Sequence, residues 1–331
     1  MIKKLWISAT ATLLALAGCT HKNTKQTIKV KTSTKLIQAN NKIAPATAKE
    51  PHTITVWIHG TRFESDFIRE KLIKNIFYRA YIKDGLLHET AYKKRSNFRI
   101  ISQNLSQQEC TRFKPDNFYI FGWSGELRIK KRKVAAKKLY KSLLQLINRY
   151  KAKHGITPKI RFITHSHGGN VALHFAKIND KSAEKIKVSE LVLLACPVQE
   201  KTAHLIASKT FEKIYSIYSG IDMIQVLDPQ GLHKARKKAV KKIEKPFFSE
   251  RAFVPQKNLT QVKIKINRRG IAHIEFILTR FAKILPHLLQ EIDAWIKTEN
   301  NDPDSHKKSR LLKIYTTGEK ITFDRRVFNR P

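Results

Sequence analysis

Apolar positions recur along the chain in two rhythms. Short runs rich in β-branched and aromatic residues predict strands at Thr53-Ile-Thr-Val-Trp-Ile58, Phe98-Arg-Ile-Ile101, Asn117-Phe-Tyr-Ile-Phe121, Ile160 to Ile163, Val188 to Leu194, Phe211 to Tyr218 and Leu259 to Ile266. The run from Val188 to Leu194 is almost continuously apolar, as a parallel strand buried on both faces requires. Leu259 to Ile266 alternates Val262, Ile264 and Ile266 with lysines and reads as the last strand before a long terminal helix. Between the runs, apolar residues fall at helical spacing. Ser65 to Tyr81 carries Ile68, Leu72, Ile76 and Phe77 on one side, with Ser65 or Asp66 as cap. Arg132 to Lys153 carries Ala135, Leu139, Leu143, Leu146 and Tyr150, and Gly155 and Pro158 stop it. Gly168 to Ala176, Gly231 to Lys245 and Glu275 to Lys297 read as further helices, and Lys313 to Phe323 as a hairpin around Thr317-Gly-Glu319. Strands alternating with helices predict an α/β protein whose mostly parallel sheet has helices on both faces.

The first fifty residues follow neither rhythm. Lys3 and Lys4 precede a short apolar run, Leu5 to Leu16, that ends in Leu16-Ala-Gly-Cys19 and is too short to cross a bilayer comfortably. Residues 1–18 therefore read as a targeting segment, and 19–52, rich in Lys, Thr and Asn, as a tether. Leu-Ala-Gly-Cys resembles the bacterial lipobox, which implies that Cys19 is lipidated and becomes the first mature residue. Thr20 in place of Asp is similar to lipoproteins passed on to the outer membrane, so the expected location is the cell envelope. Cys110 and Cys196 remain; whether they pair is open, though Cys196 ends an apolar strand and reads as a buried thiol.

Charge adds a partner class. Lys and Arg number 65 against 26 Asp and Glu, a formal net charge of +39. Such an excess favours anionic surfaces, whether membrane or envelope polymer. The lysines of 132–153 read as a solvated face, with an anionic-membrane contact as the alternative, and the basic stretch 231–245 reads equally as a membrane-surface contact or as a helix covering the sheet. Export and the lack of a recognition motif argue against nucleic acid.

The stretch that bears on chemistry is Arg161-Phe-Ile-Thr-His-Ser166-His-Gly-Gly-Asn-Val-Ala-Leu173. A serine at a tight strand-to-helix turn is lifted clear of the backbone, beside unpaired amides at the positive end of a helix. Thr164-His-Ser-His-Gly-Gly169 resembles the nucleophile elbow of the α/β-hydrolase superfamily, in its esterase and lipase branch, with Thr164 where the first glycine of G-x-S-x-G stands. The resemblance spans about residues 53–297 and leaves 298–331 as linker and hairpin-like tail.

It implies a serine hydrolase of carboxylic esters with Ser166 as nucleophile; the lipid tether and basic face add acyl lipids or phospholipids as substrates, beside small soluble esters. His59-Gly60-Thr61 is similar to the loop that donates to the oxyanion, which pairs the Thr61 amide with that of His167. The order Ser, acid, His implies Asp222, just past a strand, with Asp228 as competitor, and His273 as base ahead of the terminal helix. Ser124, in Gly-Trp-Ser-Gly, has no basic neighbour and reads as structural. No cofactor and no metal are implied: His165 and His167 form a His-x-His pair without a third ligand nearby, and their rings read as packing or entrance groups. An acyltransferase on the same scaffold, and a non-catalytic basic lipoprotein binding anionic polymer or membrane, are the rival functions.

Overall fold

The structure, a computed structural model, describes residues 52–61, 82–226, 251–299, 302 and 304–328. Cys19, the segments 65–81 and 231–245, and Asp228 lie outside the described residues. Nine strands form one sheet: β1 (Thr53–Ile58), β2 (Gly85–His88), β3 (Phe118–Gly122), β4 (Lys159–His165), β5 (Val188–Leu194), β6 (Phe211–Ser219), β7 (Leu259–Ile266), β8 (Ser309–Thr317) and β9 (Lys320–Phe328). Their spatial order is β2-β3-β1-β4-β5-β6-β7-β8-β9. Pairing is parallel from β3 to β8, while β2 and β9 close the two edges antiparallel. A mostly parallel sheet with helices packed on both faces is the α/β architecture expected from the sequence.

Among the described residues, four long helices cover the sheet: α1 (Asn97–Gln108), α2 (Ile129–His154), α3 (His167–Asn179) and α4 (Thr279–Thr298). Alternation along the strands splits the core in two. Ile54, Val56 and Ile58 of β1 face α2 and α3, with Leu139, Leu143 and Phe175 in the same cluster, whereas Trp57 faces α1 and α4, among Phe98, Leu105, Leu285 and Leu289. The lysines of α2, among them Lys130, Lys133 and Lys137, are exposed. Gly155, at φ 72°, ends that helix in the left-handed conformation that glycine adopts at no steric cost.

The structure corrects three expectations. Phe98-Arg-Ile-Ile101 is the first turn of α1, not a strand; Phe98, Ile101 and Leu105 are buried at helical spacing. Leu259–Ile266 is not the last strand, because β8 lies parallel beside β7 and the hairpin β8–β9 extends the same sheet. The terminal helix is preceded by a separate 3-10 turn, His273–Ile277. Cys110 is exposed, Cys196 is buried, and both are free thiols.

Sheet order locates a crevice. After β1 the chain goes to one side and pairs next through β3; after β4 it goes to the other side, to β5. Diverging connections leave an opening at the carboxyl ends of β1 and β4, the topological switch point where open α/β sheets bind ligands.

Candidate active site

Ser166 stands at that opening. It links the end of β4 to the start of α3 with φ 53° and ψ −132°, a conformation that a non-glycine residue adopts at a cost of about 1–3 kcal/mol and that clusters at functional sites. The strain is held from both sides. The Ser166 N–H donates to Leu194 O at 2.9 Å, and Gly169 N–H donates back to Ser166 O at 3.0 Å.

Two glycines allow the turn to press against β1. A Cβ on Gly60 would lie 2.7 Å from the Ser166 Cβ, and one on Gly168 would lie 2.3 Å from Ile58 O and 2.6 Å from His59 O. The Gly168 obstacles are backbone oxygens and the Gly60 obstacle is a Cβ, so no rotamer change relieves either. Gly168→Ala is accordingly expected to push α3 off the loop 59–61 and lower stability by about 1–3 kcal/mol; an unchanged thermal midpoint would contradict the close approach.

The loop 59–61 is braced by a residue pair that the sequence pattern did not single out. Trp123 N–H donates to His59 Nε2 at 3.0 Å, and Trp123 Nε1–H donates to His59 O at 2.8 Å, with the two rings stacked. Nε2 also lies 3.1 Å from Trp123 O, and Gly60 O, 2.6 Å from Nδ1, accepts the Nδ1 hydrogen. Because the peptide is planar and trans, holding the Gly60 carbonyl toward His59 turns the Thr61 N–H the opposite way. Among the described residues, Thr61 Oγ1 is buried without a hydrogen-bond partner. On the other side of Ser166, the His167 ring is fixed from below: Arg132, fully buried on α2, approaches His167 Nδ1 at 3.2 Å and donates to Leu127 O and Gln199 Oε1.

Acid and base arrive from β6 and β7. After β7, Asn267 and Arg268 both have positive φ, 49° and 69°, and form a two-residue reversal closed by Ile266 and Arg269. The returning segment docks on the end of β6, where Ile271 N–H donates to Ser219 Oγ at 2.9 Å. A Cβ on Gly270 would collide with Ile221 and Ser219. This brings His273 Nδ1 to 2.8 Å from Asp222 Oδ2, with both side chains buried. The other carboxylate oxygen accepts from Gln225 N–H at 3.0 Å, at the head of the helical turn Met223–Val226. A carboxylate accepts, so His273 carries a hydrogen on Nδ1, and in the neutral ring Nε2 is bare.

Of the residues singled out from sequence, the structure joins His273 to Asp222 and sets Thr61, Ser166 and His167 around one turn. Among the described residues, no hydrogen bond joins the Ser166 hydroxyl to His273. Such contacts are often long without substrate and tighten in the Michaelis complex. The His165 and His273 rings are 4.6 Å apart between centroids. Ser124 lies outside this arrangement and accepts from Glu126 N–H at 3.5 Å; His287, on α4, contacts Gln108. Among the described residues no group of three or more His, Cys, Asp or Glu is placed to hold a metal ion.

No protein-family model matches the sequence, and no curated protein matches it. Solved structures do. A carboxyl esterase of the fungus Tuber melanosporum aligns over 72% of this chain and 77% of its own, at 9% identity and TM-score 0.38. One of two esterases from Rhizomucor miehei aligns over 76% and 78%, at 9% identity and TM-score 0.39. An alpha-beta serine hydrolase homologue from Coxiella burnetii aligns over 71% and 85%, at 14% identity and TM-score 0.33.

Proposed function

We propose that this protein is a serine hydrolase of carboxylic esters. The observation that carries the proposal is the buried contact of His273 Nδ1 with Asp222 Oδ2, at the same sheet edge as a strained serine on a strand-to-helix turn. In this scheme the bare Nε2 of His273 takes the Ser166 proton as Oγ attacks the acyl carbon. Asp222 holds the ring in that tautomer and stabilises the imidazolium. The amides of Thr61 and His167 receive the oxyanion. Nε2 then protonates the departing alkoxide, and water releases the acyl group by the same steps in reverse.

An apolar rim favours esters with a hydrocarbon acyl chain. Ile221, Met223 and Ile274 are 54, 46 and 37% exposed, and each is one residue away from Asp222 or His273. Single exposed apolar residues are ordinary, but three around one polar pair form a surface that an acyl chain would cover. Acyl lipids fit this rim, the net charge of +39 and a lipid anchor at Cys19, so the working location is a membrane of the cell envelope. A fluorophosphonate probe should label the intact protein at Ser166, and Ser166→Ala should remove both labelling and ester cleavage. Labelling that survives the substitution, or intact protein that neither labels nor cleaves an ester, would overturn the proposal.

A further inference from the structure

His165 has no part in the proton path above, yet it touches both halves of the site. It is the last residue of β4, bonded through its peptide to Ser166, and its side chain is buried. Ring Nε2 lies 3.0 Å from the backbone oxygen of His273. A carbonyl only accepts, so Nε2 carries the hydrogen and, in the neutral ring, Nδ1 is bare. Nδ1 faces the opposite loop: a Cβ on Gly60 would stand 3.2 Å from it. The ring therefore lies between the loop at the end of β1 and the segment that carries His273.

Its charge state suits that place. Burial, and next the proximity of His273, keep His165 well below the ordinary histidine range; the hydrogen bond to the His273 carbonyl opposes them, and His59 and His167 add to the lowering. The ring stays neutral while the ring 4.6 Å away takes up a proton during turnover. A second cation there would oppose that step.

What the contact supplies is a direct link between the segments that follow β4 and β7, strands separated in the sheet by β5 and β6. Catalytic groups must be held to within about 0.5 Å of their working geometry, and His273 sits in a connecting segment rather than in a strand. We propose that His165 is a positioning residue whose Nε2–H, donated to the His273 carbonyl, ties the backbone of the general base to that of the nucleophile. This rests on the serine-hydrolase reading of Ser166 and His273. A ring that merely filled space would be replaced by phenylalanine without loss.

The test compares two variants with a p-nitrophenyl ester. His165→Phe keeps the ring volume and loses the donor; kcat is expected to fall about 10- to 100-fold, with KM within about twofold. His165→Gln keeps an N–H that can reach the same carbonyl and is expected to retain kcat within about threefold of the intact protein. A Phe variant as active as the intact protein, or Phe and Gln variants equally impaired, overturns the proposal. A second measurement does not depend on activity or on the variants folding. In the full-length protein labelled with ¹⁵N-histidine, His165 is expected to show the Nε2–H tautomer unchanged from pH 8 to pH 5. A neutral ring that carries its hydrogen on Nδ1, leaving Nε2 without one, overturns the tether. If the intact protein proves inert toward esters and fluorophosphonate, the hydrolase reading falls, while the tautomer measurement still decides whether the two backbones are tied.

Discussion

Asp222→Asn is expected to lower kcat for ester cleavage by about 10⁴-fold while leaving the fold intact. Two hydrogen bonds on the one carboxylate explain why an isosteric change should cost so much. Gln225 N–H donates to Oδ1, and His273 faces Oδ2. An asparagine has one oxygen and one NH₂, and the backbone donor at Gln225 selects the oxygen. The NH₂ is thereby directed at His273, whose Nδ1 must become an acceptor. The ring hydrogen moves to Nε2, the atom that has to take the Ser166 proton. The base is then blocked by its own hydrogen, with no atom displaced. Steady-state kinetics on a p-nitrophenyl ester, with a thermal melt as control, would read this directly. Loss of less than about tenfold with an unchanged melt would mean that Asp222 does not set the tautomer, and the proposed division of roles would fail.

Different parts of this arrangement are legible in the sequence to different degrees. Strand-to-helix turns and long amphipathic helices announce themselves because their signals are local: the run into Thr164-His-Ser-His-Gly-Gly, or the stripe from Ala135 to Tyr150 ending at Gly155, needs no distant partner. Phe98-Arg-Ile-Ile101 misleads because four apolar-rich residues fit either period; only Leu105, one further turn along, reveals the helix. Gly85–His88 is overlooked as a strand because it is an edge of four half-buried residues with a single neighbour, β3. That β8 joins β7 in parallel depends on pairing across some fifty residues, which no local pattern encodes. At the site, Ser166, Asp222 and His273 stand out as candidates through chain order and placement at strand ends. The bracing of His59 by Trp123 and the contact of His165 with the His273 carbonyl do not. Their partners are backbone atoms, and a backbone atom leaves no trace in residue identity.

Glu190→Gln is expected to lower the thermal midpoint by roughly 6–20 °C at pH 7 while leaving kcat of the folded enzyme unchanged. The estimate follows from about 3–5 kcal/mol for breaking a buried ion pair, at about 2–4 °C per kcal/mol for a domain of this size. Glu190 is the register partner of Arg161 on β4, and the two are ion-paired. It also accepts from Arg112 at 2.8 Å. Arg112 reaches on to Asp293 of α4 at 3.2 Å, and Asp293 accepts from Tyr215 at 2.5 Å and pairs with Lys213. Arg161 also lies over the Phe113 ring, 4.9 Å from its centroid, and donates to Arg112 O. Three cations thus share two carboxylates. Removing one carboxylate leaves three cations on a single carboxylate in a partly desolvated cluster, within a chain already at +39.

Acid should expose the same dependence. Burial pushes Glu190 up, but Arg161 and Arg112 overcome it and hold the carboxyl below its ordinary value. Burial likewise opposes, and Lys213, Tyr215 and Arg112 overcome, at Asp293. Carboxylates depressed in the folded state stabilise it fully above their unfolded pKa, about 4, and lose that contribution as pH falls through the folded values. The midpoint of the intact protein should therefore drop steeply between about pH 5 and pH 3, whereas Glu190→Gln, starting lower, takes up one proton fewer and should fall along a shallower slope. Because Arg161 and Ser166 lie near opposite ends of β4, four residues or about 13 Å separate the cluster from His165, and turnover at pH 7 should not register the change. Coincident melting curves for the two proteins at pH 7 would show that the charges are balanced by solvent rather than by one another.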